Sequence, residues 1–200
     1  MNLKIQIWLI IFTGTLVWSG INPKDYPVWI LEVAPAVIAV IVLGFTFKSY
    51  PLTPLLYILV LIHSIILMIG GHYTYAEVPA FDWLKEQLDL TRNHYDKLGH
   101  LAQGFVPAIA AREILLRSSP LQQGSWLNFI VICICLAISA FYEMIEWWVA
   151  LMSTQAADAF LGTQGYIWDT QSDMFFALLG AIAALLILAK LHNTQLEKIS

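Results

Sequence analysis

Six apolar stretches divide this chain, at about 5–18, 28–47, 52–69, 98–116, 126–152 and 170–191, and all but the first are long enough to cross hydrocarbon as helices. Backbone inside a bilayer must satisfy its own N–H and C=O groups, which leaves helices or a closed barrel as the only spanning structures. Alternation of polar and apolar positions is nearly absent, which argues against a barrel. With 59% hydrophobic and 12% charged residues in 200, the chain is far more apolar than a soluble domain of its length. The sequence is therefore that of an all-α, polytopic membrane helix bundle of about six transmembrane helices, a single transmembrane domain over 1–200.

Between the stretches lie breakers: Asn22-Pro23 with Pro27, Lys48-Ser49-Tyr50-Pro51, Gly70-Gly71, Ser118-Ser119-Pro120 with Gly124, and Gly162 with Gly165. The first stretch follows Lys4 as a signal peptide would, but Trp18-Ser19-Gly20 puts bulk where cleavage needs a small residue. It is read as a retained anchor. Pro35, Pro54 and Pro107 are expected near helix starts, where a missing N–H costs little. The long third-to-fourth connection places Phe81, Leu84 and Leu88 at helical spacing after Pro79. Either a short interfacial helix or a solvated loop with incidental apolar residues fits that pattern.

Lys4, Lys48, Arg112, Arg117, Lys190 and Lys198 share the side of the termini, against Lys24, Lys85, Arg92 and Lys97 opposite. This bias places both termini in the cytoplasm. The net charge of −4 and the lack of a basic cluster give no reason to propose nucleic acid as a partner. Cys133 and Cys135 support neither a disulfide framework nor a cysteine metal site.

Three spans carry polar pairs toward their outer ends. Asp96 and His100 are four apart, Glu143 and Glu146 three apart, and Asp169 and Asp173 four apart, so each pair shares a helix face. Gln103 and Pro107 continue the first face, Ser139 the second, and Ala177, Gly180 and Ala184 form a small-residue stripe below the third. His72 and Tyr73 close the third span and reach toward the same level, with Tyr95, Lys97, Tyr142, Trp147, Asp158 and Trp168 nearby. His63 lies deeper. Glu113 and Arg117 read as an interfacial ion pair, and Lys97, Arg92 and Arg112 do not make a phosphate clamp on one face.

A carboxylate near the bilayer centre costs roughly 2.5 to 3.5 kcal/mol on insertion scales, so such groups turn inward to pair, bind an ion or move protons. Clustered carboxylates with a histidine suit a divalent metal, whether zinc, manganese or iron. In that reading His100, Glu143, Asp169 and Asp173 are ligands, with His72 as a fifth, while Glu146 or Asp96 orients ligands or handles protons. A purely structural polar network and an ion or proton pathway use the same residues.

The motifs His72-Tyr73-Thr74-Tyr75, Arg92 through His100, Tyr142 through Trp147, Leu161 through Gly165, Trp168-Asp169-Thr170-Gln171 and Asp173-Met174 resemble the YjdF-like family of uncharacterised bacterial inner-membrane proteins. The likeness covers nearly the whole chain. One departure is Tyr166, where the family often has an acidic residue after Gly165. A fainter similarity, on Asp96-Lys97 with His100, the fifth-span glutamate, and Asp169 with Asp173, is to VanZ-like membrane proteins, which implies an envelope or lipid-linked role by analogy. The expectation is an acidic, histidine-containing periplasmic pocket serving as a metal-dependent hydrolase or transferase site for a lipid or lipid-linked envelope substrate, among membrane lipids as partners. A proton- or cation-coupled transporter, or a non-catalytic envelope or assembly protein, is the alternative.

Overall fold

In the computed structural model, which describes residues 3–152 and 164–199, seven helices account for the described chain: α1 Leu3–Ser19, α2 Tyr26–Thr46, α3 Pro54–Tyr73, α4 Pro79–Gln87, α5 Tyr95–Ser118, α6 Ser125–Met152 and α7 Asp169–Leu196. Four of them, α2, α3, α6 and α7, are long and apolar enough to cross a membrane. The 17-residue α1 is shorter, and the 24-residue α5 is long enough but carries the charged residues of both polar clusters described below. Gly162, Thr163, Leu161 and Asp158 lie outside the described residues.

Helix starts follow local chemistry. Asp25 accepts from Val28 N at 2.9 Å, Thr53 accepts from Leu56 N, and Pro27, Pro54 and Pro79 occupy first-turn positions where no helical N–H is missed. Pro35 and Pro107 differ from the expectation. Both prolines sit well past the first turn, in helices that start at Tyr26 and Tyr95, and each deprives the carbonyl four residues earlier (Leu31 and Gln103) of its helical partner. The connection after α3 contains a helix, α4, whose Phe81 packs edge-on against Tyr95 at 5.1 Å, while Trp83 and Leu88 are exposed.

Side-chain bonds fix the directions of the long helices. Thr53, at the start of α3, meets Glu113 near the end of α5, while Ile66 near the end of α3 meets Tyr95 at the start of α5. Glu113 also meets His192 near the end of α7, and Lys97 meets Asp169 at the start of α7. Helices α5 and α7 therefore run parallel, with α3 antiparallel to both. Among the described residues the six long helices alternate in direction along the chain.

The α5–α7 contact is the most extensive in the molecule. A β-carbon on Gly104 would collide with the Ala177 carbonyl, and one on Gly180 with the Leu101 carbonyl, so each helix has a glycine where the other's backbone arrives. Between the polar ends lies an apolar layer centred on Leu56, Ile109, Leu127, Val131, Cys135 and Ala184.

Candidate functional site

The Asx and tyrosine chemistry before α5 builds the site's rim. Asn93 is fully buried: its Nδ2 donates to Val78 O at 3.1 Å and to Asp82 at 2.9 Å, and its Oδ1 accepts from Tyr95 N at 3.0 Å. Gln164 brackets the Asn93 backbone, accepting from its N–H at 3.0 Å and donating to its carbonyl at 2.9 Å. The segment before α7 is thus pinned to the segment before α5. Tyr75 fills the slot left by Gly70 and Gly99, where β-carbons would strike its ring, and its phenol is directed to Glu32.

Within this frame the outer pairs converge. His100 is buried on α5, with Nε2 at 3.3 Å from Asp96 and 3.8 Å from Asp173, and Nδ1 at 2.9 Å from Gln103 Oε1 and 3.8 Å from Glu143. Two donor groups share it: Asp96, His100 and Asp173, and His100, Glu143 and Glu146, each with ligand atoms within 4.8 Å of one another. All except Asp96 are classed as buried, and Asp96 is nearly so.

The two halves are compensated differently. Lys97 reaches Asp96 at 3.2 Å, Asp169 at 2.8 Å and Asp173, and Arg92 reaches Asp169 at 2.6 Å. Asp169, expected as a ligand, is thus held by two cations. On the other half Glu143, Glu146 and Glu32 are each more than nine-tenths buried, and the His100 ring lies 3.8 Å from Glu143. Tyr142 donates to Glu32 at 3.0 Å. Glu143 Oε1 is buried with no hydrogen-bond partner, as is Ser139 Oγ one turn deeper and His63 Nε2 on α3.

His72 is not brought into this cluster. Its Nδ1 bonds Ser19 O at 3.0 Å and its ring lies 4.7 Å from Trp18, at the ends of α1 and α3. Trp147 and Trp168 are exposed, and Tyr95 donates to Ile66 O at 2.9 Å rather than to a carboxylate. Glu32 escaped the sequence reading, although an acid only six residues into the apolar α2 was the available signal.

Arg92 and Lys97 come together on Asp169 where α5 and α7 start side by side, while Arg112 lies with His192 at the opposite end. They line a cavity of about 520 Å³ with Thr91, His94, Tyr166 and Ser172. Arg92 lies over the Tyr166 ring at 4.7 Å, so the residue that departs from the family pattern packs on a cation. His94 is held below the usual imidazole range, by burial first and then by Arg92 and Lys97.

A family model described as "Predicted membrane protein (DUF2238)" matches residues 4–194. The chain belongs to this family. It is also 54% identical over 186 residues to the inner membrane protein YjdF of Escherichia coli (strain K12), covering 93% of this chain and 89% of that relative. Both descriptions agree with the apolar spans, the relative supports an inner-membrane location, and neither description assigns a reaction. No solved structure gives a significant match.

A second polar cluster sits at the opposite end. Glu113, fully buried, accepts from Thr53 N at 3.1 Å, Thr53 Oγ1 at 2.7 Å and Arg117 at 2.8 Å, and lies 3.0 Å from His192 Nε2. Arg112 bonds His192 Nδ1 at 2.8 Å and Asn193. The expected Glu113–Arg117 pair is present, as one edge of a network tying α3, α5 and α7.

Proposed function

We propose that the chain spans the inner membrane six times with cytoplasmic termini, and that the outward chamber binds a divalent metal at His100, Glu143 and Glu146. The chamber would serve a hydrolase or transferase acting on a lipid or lipid-linked envelope molecule. One observation carries the metal: Glu143 Oε1 is buried without a partner, 3.8 Å from His100, on the half of the cluster where no lysine or arginine neutralises the acids among the described residues. A buried unpaired carboxylate costs several kcal/mol unless a cation or proton meets it. Imidazole with two carboxylates suits zinc, manganese or iron. Binding there replaces the His100–Gln103 bond. Asp173, tied to Lys97, stands on the far side of His100 as a weaker candidate ligand.

A bound metal would polarise water or a substrate oxygen. In hydrolysis, water oxygen adds to the electrophilic centre, one water proton passes to Asp96, and that proton returns to the departing oxygen. The six-span topology is supported by the alternation of helix directions and by two polar clusters on α5 whose centres, His100 and Glu113, are roughly 20 Å apart at 1.5 Å per residue. A transport pathway is disfavoured by the apolar layer of Val106, Ile109, Val131, Ala181 and Leu185 that separates those clusters.

Elemental analysis of detergent-purified protein tests the metal. Near-stoichiometric metal in the wild type, lost in His100→Ala and Glu143→Gln and largely kept in Asp173→Asn, is expected. Sub-stoichiometric metal unchanged by all three variants removes the proposal. A purely structural network predicts instead that Glu143→Gln with Asp173→Asn leaves fold and function intact.

A further inference from the structure

The cavity of about 520 Å³ outside the carboxylate cluster is lined by two permanent cations, Arg92 and Lys97, with the His94 imidazole and the hydroxyls of Thr91 and Ser172. None of the described residues that line it is acidic. Arg92 and Lys97 both reach the same oxygen of Asp169, which holds the two cations side by side. The other two acids that Lys97 contacts, Asp96 and Asp173, are shared with His100.

Backbone chemistry adds to this. The cavity opens where α5 and α7 both begin, running parallel; neither His94 nor Trp168 caps its helix with its own side chain, while Asn93 accepts from Tyr95 N at the start of α5. Two helix N-termini directed at one space present partial positive charge and N–H donors, the arrangement that favours an anion. The volume lies within the range that holds a small polar group with part of its carrier. Tyr166 and Phe176 supply an apolar wall. Gln164, locked to the Asn93 backbone, keeps the rim in place, so the donors are positioned by the fold.

We propose that this cavity is the substrate's anion subsite and that it takes a phosphate-type dianion, a phosphomonoester or diphosphate. This rests on the reading of the adjacent chamber as the reacting site and names its substrate class. Arg92 offers planar guanidinium donors, Lys97 a point charge and the two hydroxyls further hydrogen bonds, a set suited to three equivalent phosphoryl oxygens. Lys97 lines the subsite and shares Asp173 with His100, which joins the subsite to the chamber.

Calorimetric titration of the purified full chain in non-ionic detergent tests it, with three probes: inorganic pyrophosphate, dihexanoyl phosphatidic acid and dihexanoyl phosphatidylcholine. Phosphatidic acid or pyrophosphate should bind at least about tenfold more tightly than phosphatidylcholine, the factor one charge-assisted bond supplies. Preference for phosphatidic acid over pyrophosphate identifies a lipid headgroup as the source, and equal binding identifies the free phosphate group. His94→Glu places a carboxylate in the cavity without breaking a buried ion pair and should weaken both by about tenfold. The double variant Arg92→Gln with Asp169→Asn removes a cation together with its partner, guarding against misfolding, and should do the same. Phosphatidylcholine binding as tightly as phosphatidic acid, no binding of either phosphate probe, or unchanged affinity in both variants overturns the proposal. Phosphate binding by protein that contains no metal sinks the metal reading and keeps this one. Bound metal without phosphate binding does the reverse.

Discussion

Glu143 concentrates the physics of the site in one side chain. Its Oε1 has no hydrogen-bond partner and lies 3.8 Å from His100 Nδ1, so replacing the carboxylate by an amide breaks no hydrogen bond at that oxygen. In metal-stripped protein Glu143→Gln is expected to leave the melting temperature unchanged or raise it, read by thermal denaturation in detergent; a clear fall would show a partner that stabilises the ionised form. Tyr142→Phe has the opposite sign. It takes one of two phenol donors, the other being Tyr75, from Glu32, which is buried in α2, and should cost about 1–3 kcal/mol of stability, with Glu32→Gln relieving the loss. The pairs at 96 and 100, 143 and 146, and 169 and 173 were legible because helical spacing puts each on one face. Glu32 was equally visible as an acid in an apolar run, but it has no helical neighbour to pair with, and its partner Tyr142 is 110 residues away.

At the scale of elements, the α5–α7 contact decides where the site's two halves meet. Gly104 faces the Ala177 backbone and Gly180 the Leu101 backbone, and backbone cannot swing aside as a side chain can. Gly104→Ala and Gly180→Ala should each destabilise by about 1–3 kcal/mol, the cost of overpacking. Thermal unfolding measures it, and metal or phosphate binding should fall with it, since Lys97 and Asp169 are held across the same contact. The stripe of Ala177, Gly180 and Ala184 foretold a close approach, while its partner on α5 was not foretold. A small residue shows that something comes near and says nothing of which helix comes. Pro35 and Pro107 illustrate the reverse limit, because a long spanning helix tolerates a proline past its first turn when its surroundings offset the one lost bond.

For the whole molecule, the alternating helices set a polar cluster at each end of α5 with an apolar layer between. Glu113 and His192 are completely buried and stitch α3, α5 and α7 at the end remote from the site. Glu113→Ala leaves Arg117 and His192 without their acid and should cost about 3–5 kcal/mol; a melting temperature near wild type would show that the network is not a clamp. Topology has a direct check. After Cys133 and Cys135 are replaced by Ala, Thr91→Cys in intact cells should react with a membrane-impermeant maleimide, and Gln123→Cys should react only after lysis.

What the sequence determined by itself was the class of molecule, because the length of an apolar run and the demand of hydrocarbon for satisfied backbone are local properties. It also placed each carboxylate on its helix face and assigned the family. Only the tertiary structure decided which charges meet. Asp169 could be written as a ligand until α5 and α7 were seen to start together, delivering Arg92 and Lys97 to it. His72 could be written beside it until the end of α1 claimed its ring. Electrostatic partnership depends on separations of a few ångströms between distant parts of the chain, and no spacing along one helix encodes them.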